Sequence, residues 1–203
     1  MTETKPKIIT IGGLTGVGKT TLADSLAEHM NKNGQKAIAI DSDRLRKELW
    51  GVPETTPLPA EAYDWSITEQ VIAKAREITE DHLKQGYAVV QSAAHVTQKS
   101  RHRQKQYADS IGAEHIGIFL TCPKDELETR IQKRREAKNS ASDAGPDILK
   151  RFMRAYDGQM SWKKINADRP VEDVLKASIA VIGSNTFSTQ IKRKKQAGVQ
   201  YRR

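Results

Sequence analysis

Eight consecutive residues, Gly13-Leu14-Thr15-Gly16-Val17-Gly18-Lys19-Thr20, restrict this chain more than any other stretch of it. They fit the spacing G-x-x-x-x-G-K-[ST], whose residue types answer the needs of a bound polyphosphate. Gly13, Gly16 and Gly18 leave no Cβ between the backbone amides and phosphate oxygens. Lys19 brings a compact positive charge to the β- and γ-phosphates, and the Thr20 hydroxyl is suited to ligate Mg²⁺. A helix opening at Lys19 adds the positive end of its dipole. The residues expected to hold ATP are therefore Gly13, Thr15, Gly16, Val17, Gly18, Lys19, Thr20 and Thr21.

The flanks agree with that reading. Lys7 to Ile11 reads as a buried strand entering the loop, and Thr21 to Met30 as an amphipathic helix leaving it. Asn33-Gly34 stops the helix, and Lys36 to Asp41 is a second strand. Ser42 opens a short helix that Gly51 closes at its far end. Pro53, Pro57 and Pro59 mark an irregular crossing from about 51 to 62, ahead of a helix over Tyr63 to Lys84. Gly86 ends that helix. Tyr87 to Ser92 reads as a third strand, Gln98 to Ile111 as a basic helix, and His115 to Leu120 as a fourth strand. Helices are expected over Lys124 to about Lys138 and, after a polar break at Asn139 to Pro146, up to about Gln159. The apolar run Ala177 to Ile182 is expected to be the fifth strand.

Strands alternating with helices imply an α/β fold: a P-loop NTPase with a five-stranded parallel sheet, helices on both faces and a helical lid. The domain is expected over 1–185, with the lid at about 130–148 and a basic tail over 186–203. Ligands bind such sheets at the carboxyl ends of the strands. That rule gathers the loop, Asp41 to Arg46 and Gln91 to His95 around one site.

Asp43 follows the second strand, where a carboxylate can take the proton of an acceptor hydroxyl as the new P–O bond forms. Arg46, three residues on, is placed to hold an anionic acceptor or the transferring phosphoryl, and Asp41 to join Thr20 on the Mg²⁺ side. Arg130, Arg134 and Arg135 share one helix beside the polar break. Arginines on a segment that folds over ATP neutralise charge developing on the phosphoryl oxygens, with Arg134 the first choice and Arg130 the second. Five scattered histidines show no metal-ligand spacing.

Three blocks together resemble the small P-loop kinases: Gly12 to Ala23, Asp41-Ser-Asp-Arg-Leu-Arg46, and Cys122 to Arg134. The resemblance is greatest to predicted kinase domains fused to aminoglycoside-phosphotransferase-like domains, and to the kinase half of phage polynucleotide kinase. It covers roughly residues 7 to 160. It implies that the D-x-x-R pair, here Asp43 and Arg46, supplies a base and an acceptor-side arginine. It also implies that the lid pattern P-x₆-R-x₃-R falls on Pro123, Arg130 and Arg134, and Ser142-Asp143-Ala144 is similar to the same group. Those relatives end the third strand with an aspartate, where this chain has Gln91-Ser92-Ala93-Ala94. The loop also resembles adenylylsulfate kinase, whose following G-D-N element is absent here.

The expected activity is transfer of the γ-phosphoryl of ATP, with Mg²⁺, to a hydroxyl of a small molecule. The alternatives are a kinase acting on a nucleic-acid end and a nucleotide-dependent regulatory NTPase. Charge bears on the choice, because seven positive residues and no acidic one follow Asp173 in a chain of net charge +9. That tail, with Arg101 to Lys105, would suit nucleic acid. No apolar run approaches the roughly 20 residues of a membrane span, and the N-terminus lacks the apolar stretch of a signal peptide. With a single cysteine, Cys122, expected as a small buried residue at a strand end, the chain reads as cytoplasmic.

Overall fold

The computed structural model describes residues 5–137 and 144–196, with side chains as far as 184 apart from Ala60. The middle of the expected lid, including Ser142 and Asp143, lies outside the described residues, as do residues 197–203.

Five strands form one parallel sheet in the order β2-β3-β1-β4-β5. They are β1 (Lys7–Gly13), β2 (Ala37–Asp41), β3 (Ala88–Ser92), β4 (Glu114–Thr121) and β5 (Lys163–Asn166). The helices are α1 (Lys19–Lys32), α2 (Ser42–Trp50), α3 (Trp65–Lys84), α4 (Gln98–Ser110), α5 (Lys124–Ala137), α6 (Pro146–Ala155) and α7 (Val171–Gln196). A short 3₁₀ turn, Ala60–Tyr63, ends the irregular crossing.

Side-chain alternation along β1 divides the core. Ile9 and Ile11 join Leu22 and Leu26 of α1 and Val174 of α7 on one face. Ile8 points the other way, to Tyr107 and Ala108 of α4. Further along that second face, Ile40 and Val89 pack with Leu45 of α2 and Val71 of α3. Thr10, also on the second face, accepts hydrogen bonds from Gln104 at 3.2 Å and sits 3.0 Å from His115 Nε2. Gln104 in turn donates to Gln91, and Gln91 to Thr79 at 2.7 Å. This chain of buried polar groups is satisfied from β4 across to α3, which removes most of the cost of burying it.

Two expectations fail. Ala177 to Ile182 is not a strand; it lies inside α7, where Ala177, Ile179, Val181 and Ile182 pack on the α1 face of the sheet. An apolar run of six residues does not distinguish a buried strand from a buried helix, and nothing in 171–196 breaks the helix. The fifth strand is Lys163–Asn166 instead, whose short, polar sequence KKIN buries only Ile165 at the edge of the sheet. The helix expected to reach about Gln159 ends at Ala155, and residues 156–162 form a strap leading into β5. Trp162 of that strap lies flat on β4. An ideal Cβ at Gly117 would stand 2.3 Å from its ring, so only glycine permits the approach. Cys122 is half-buried just past β4 and packs against the main core.

Candidate active site

The carboxyl ends of β1, β2 and β3 converge where the strand order turns about β1. In the loop between β1 and α1, Gly16 and Gly18 hold φ of 82° and 96°, in the left-handed region that a side chain resists. Gly16 is needed on a second count. A Cβ there would meet Ile131 Cγ1 at 3.0 Å and the Leu127 carbonyl at 3.1 Å, so α5 rests directly on the loop. Lys19 opens α1 and curls back to donate from Nζ to the Leu14 carbonyl at 3.0 Å. Burial holds its pKa below the ordinary lysine value, against the opposing pull of Asp43 and Asp41.

A cleft of about 420 Å³ opens beside the loop. Of the residues expected to hold nucleotide, Gly16, Val17, Gly18, Lys19, Thr20 and Thr21 line it. Gly13 and Thr15 lie behind it, and the buried Thr15 hydroxyl stands 3.5 Å from the Ala144 carbonyl. Asp41 and Asp43 form the wall at the end of β2, and Arg130 and Arg134 of α5 close the opposite side. Arg135 points away and is exposed. Arg130 is aimed by Glu126 at 2.7 Å, and Arg134 donates to the Ala144 carbonyl at 2.6 Å, which ties the two ends of the lid together.

Asp41 is the junction of this wall. Its Oδ2 accepts from the Thr20 hydroxyl at 2.7 Å and also from the Ser92 hydroxyl. Its Oδ1 accepts the amides of Asp43 and Arg44 at 2.9 and 3.1 Å, so Asp41 caps α2 and Ser42 is the first residue of that helix. Ser92 stands opposite Asp41 in the β2–β3 register, where relatives of the kind described above carry an acid.

Arg46 is not in the cleft. It is 7% exposed, donates to the Ala62 carbonyl at 2.7 Å, and lies under the Tyr63 ring with its Cζ 5.0 Å from the centroid. Burial lowers its pKa, and Asp43 partly offsets this. Lys47 likewise grips the crossing through the Glu54 carbonyl, while Arg44 holds the Glu54 carboxylate at 2.9 Å. The three cations of α2 thus anchor residues 51–64 to the helix.

Sequence reasoning missed Arg169, Val171 and Val174, which line the same cleft from the turn after β5 and the start of α7. Because the fifth strand was misplaced, that turn had no position. Sequence reasoning also put Arg101 on a basic surface. It is 1% exposed and paired with Asp157 at 2.8 Å, while Lys105 pairs with Asp109 at 2.7 Å. Within α4 the expected nucleic-acid face is therefore reduced to Arg103.

The cleft fits a nucleotide triphosphate and its metal ion on chemistry alone. It has left-handed glycines at a helix N-terminus, four cationic side chains (Lys19, Arg130, Arg134 and Arg169), and a hydroxyl–carboxylate pair at its floor. Among the described residues, no helix is long and apolar enough to cross a membrane.

A family model described as AAA domain matches residues 8–158. An adenylyl-sulfate kinase of Paraburkholderia xenovorans is 29% identical over 133 residues, 66% of this chain and 68% of that protein. Among solved structures, an APS kinase of Mycobacterium tuberculosis in complex with AMPPNP and APS superposes with a TM-score of 0.66 at 18% identity, covering 88% of this chain and 98% of that one. A gluconokinase from Sinorhizobium meliloti gives a TM-score of 0.61 at 18% identity, covering 92% and 97%.

Proposed function

The chain belongs to the AAA domain family, and from that membership together with the cleft geometry we propose that it is a cytoplasmic, ATP-dependent kinase with a small-molecule hydroxyl as its acceptor. The observation that carries the reading is the placement of Lys19, Thr20, Asp41, Asp43, Arg130 and Arg134 around one cleft. The loop amides and Lys19 hold the β- and γ-phosphates, and Arg130 and Arg134 cover them from α5. Thr20 and Asp41 hold Mg²⁺, which supplies charge neutralisation on the phosphate oxygens. Asp43 receives the proton of the acceptor hydroxyl. The acceptor oxygen bonds to the γ-phosphorus as the bond from that phosphorus to the bridging oxygen breaks, and ADP leaves with the electron pair.

The relatives named as kinases of adenylyl sulfate and of gluconate support a small acceptor. Arg46, near Asp43 and holding the crossing 51–64, stays on the acceptor side as the D-x-x-R pairing implies. The nucleic-acid alternative, suggested also by the resemblance to phage polynucleotide kinase, loses the support of α4 and keeps only the basic C-terminal stretch. The test is a thermal-shift screen of hydroxylated metabolites and oligonucleotides in the presence of a non-hydrolysable ATP analogue and Mg²⁺. The proposal expects a further upward shift with a small hydroxylated compound. A shift produced by oligonucleotides alone would replace the acceptor class.

A further inference from the structure

Arg101, in the first turn of α4, is a buried cation that the proposed chemistry does not use. Its guanidinium binds two separate segments. Nη1 donates to the His95 carbonyl at 2.8 Å, while Nη2 donates to Asp157 Oδ1 at 2.8 Å and to the Gln159 carbonyl. Asp157 also accepts the Gln98 amide through Oδ2, at the N-terminus of α4. Apolar contacts run alongside. Tyr156 stacks on Phe119 with centroids 5.6 Å apart and planes 13° apart, and Arg101 Cζ lies 5.9 Å from the same Phe119 ring. At the far end of the strap, Trp162 packs on His95 at 5.1 Å.

These contacts fasten two pieces of chain that matter to the site. One is the strap 156–162, which continues directly from α6 and so from the C-terminal root of the lid. The other is the loop 93–97, which follows β3 immediately after Ser92, on the acceptor side of the cleft. That loop reaches the nucleotide side too, since the Ala94 carbonyl accepts from the Gly13 amide at 3.0 Å. His95 holds φ of 45°, a conformation that a non-glycine residue keeps only where its surroundings over-determine it. Arg101, bonded to its carbonyl, and Trp162, against its ring, are those surroundings. Burying a guanidinium merely to stabilise a fold is a poor use of it, because the desolvation cost offsets much of the ion-pair gain. A planar fork that fixes two backbone carbonyls and one carboxylate is well suited to setting geometry.

We propose that Arg101 and Asp157 are positioning residues that pass the position of the lid to the acceptor-side loop 93–97. This rests on the kinase reading above. When Arg130 and Arg134 close on nucleotide, α6 and the strap move with them, and the Arg101–Asp157 latch carries His95 and Ala94. The acceptor side is thereby set only when nucleotide is held.

Hydrogen–deuterium exchange on the full chain tests this, using a non-hydrolysable ATP analogue with Mg²⁺ as the probe and comparing wild type with Asp157→Ala and Arg101→Met. The Asp157 side chain is 31% exposed, so its removal opens no core cavity and keeps the test alive if Arg101→Met fails to fold. In the wild type the analogue slows exchange both at 13–20 and at 93–97. In Asp157→Ala the slowing at 13–20 persists, and that at 93–97 falls at least about twofold, as expected for a local opening freed from its tie. Undiminished slowing at 93–97 in Asp157→Ala overturns the latch, since the Gly13–Ala94 contact would then carry the signal. Slowing at 13–20 with none at 93–97 in the wild type overturns it as well. No slowing at 13–20 in the wild type overturns the nucleotide reading itself, and the latch with it.

Discussion

The Thr20 hydroxyl and the Asp41 carboxylate are hydrogen-bonded at 2.7 Å, which joins the first turn of α1 to the end of β2 across the intervening strand β3. Ser92, at the end of β3, donates to the same carboxylate oxygen. A second carboxylate at position 92 would place two negative charges within hydrogen-bonding distance and push one of them to protonate. With serine there, a single acid one strand over takes the place beside Thr20. The sequence alone showed the missing acid of strand three but not its replacement, because the 2.7 Å contact depends on the β2–β3 register.

Asp41→Asn separates the two roles of this residue. Asparagine caps a helix as well as aspartate does, so α2 keeps its amide acceptor and stability stays within about 1 kcal/mol. The charge beside Thr20 is lost, and the Mg²⁺ concentration for half-maximal activity rises by about 10-fold or more. Titrating Mg²⁺ at saturating ATP measures this, and an unchanged requirement would reduce Asp41 to a cap.

Arg134 and Arg135 are adjacent in sequence but differ in outcome. Arg134 lines the cleft and Arg135 is exposed outside it. Arg134→Ala is expected to lower turnover by about 10²–10³-fold, the scale of a lost donor to developing charge. Arg135→Ala is expected to stay within about twofold, as surface changes do. Equal losses in steady-state turnover would place the effect in the charge of the helix rather than in the cleft.

Gly117→Ala tests the packing under the strap. The new methyl would stand 2.3–2.4 Å from three atoms of the Trp162 ring, which must move and take the contact with His95 along. Overpacking of this kind costs about 1–3 kcal/mol. Denaturant unfolding should show a lower midpoint with an unchanged slope, and an unchanged midpoint would mean that Trp162 shifts freely.

Acid should weaken the fold before the carboxylates titrate. Burial, reinforced by neighbouring charge, holds His95 at about 4, and burial likewise holds His115 at about 4, against 6.5 for a free imidazole. The unfolded chain therefore binds protons below pH 6.5 that the folded chain refuses until about 4. Stability conferred by the neutral rings is complete above that unfolded value and is lost as pH falls toward 4, by on the order of 1–3 kcal/mol. Unfolding free energies measured between pH 7 and 4.5 should fall, and His115→Gln should flatten the slope. An equal slope in the variant would assign the acid sensitivity elsewhere.

The legible parts of the sequence were those where local signals agree. The loop motif, the apolar strands on either side of it and glycines at helix ends placed β1 to β4 and α1 to α5. The rest required tertiary information. Lys163–Asn166 carries one buried apolar residue in four and has no period to read, while Ala177 to Ile182 becomes helical only because α1 and the sheet offer a face to cover. Arg101 reads as surface charge beside Arg103 and Lys105 until Asp157, 56 residues away, is brought against it.

The central claim is transfer to an acceptor with Asp43 as the base, and ADP release with and without acceptor in wild type and Asp43→Asn measures it most directly. The wild type should release ADP faster when the acceptor is present. Asp43→Asn should keep its affinity for ATP within a few-fold and lose about 10²-fold or more of the acceptor-dependent rate, the scale of a lost general base. Loss of ATP affinity in parallel with rate would make Asp43 a nucleotide or metal ligand. ADP release indifferent to every acceptor, in both proteins, would contradict the kinase account.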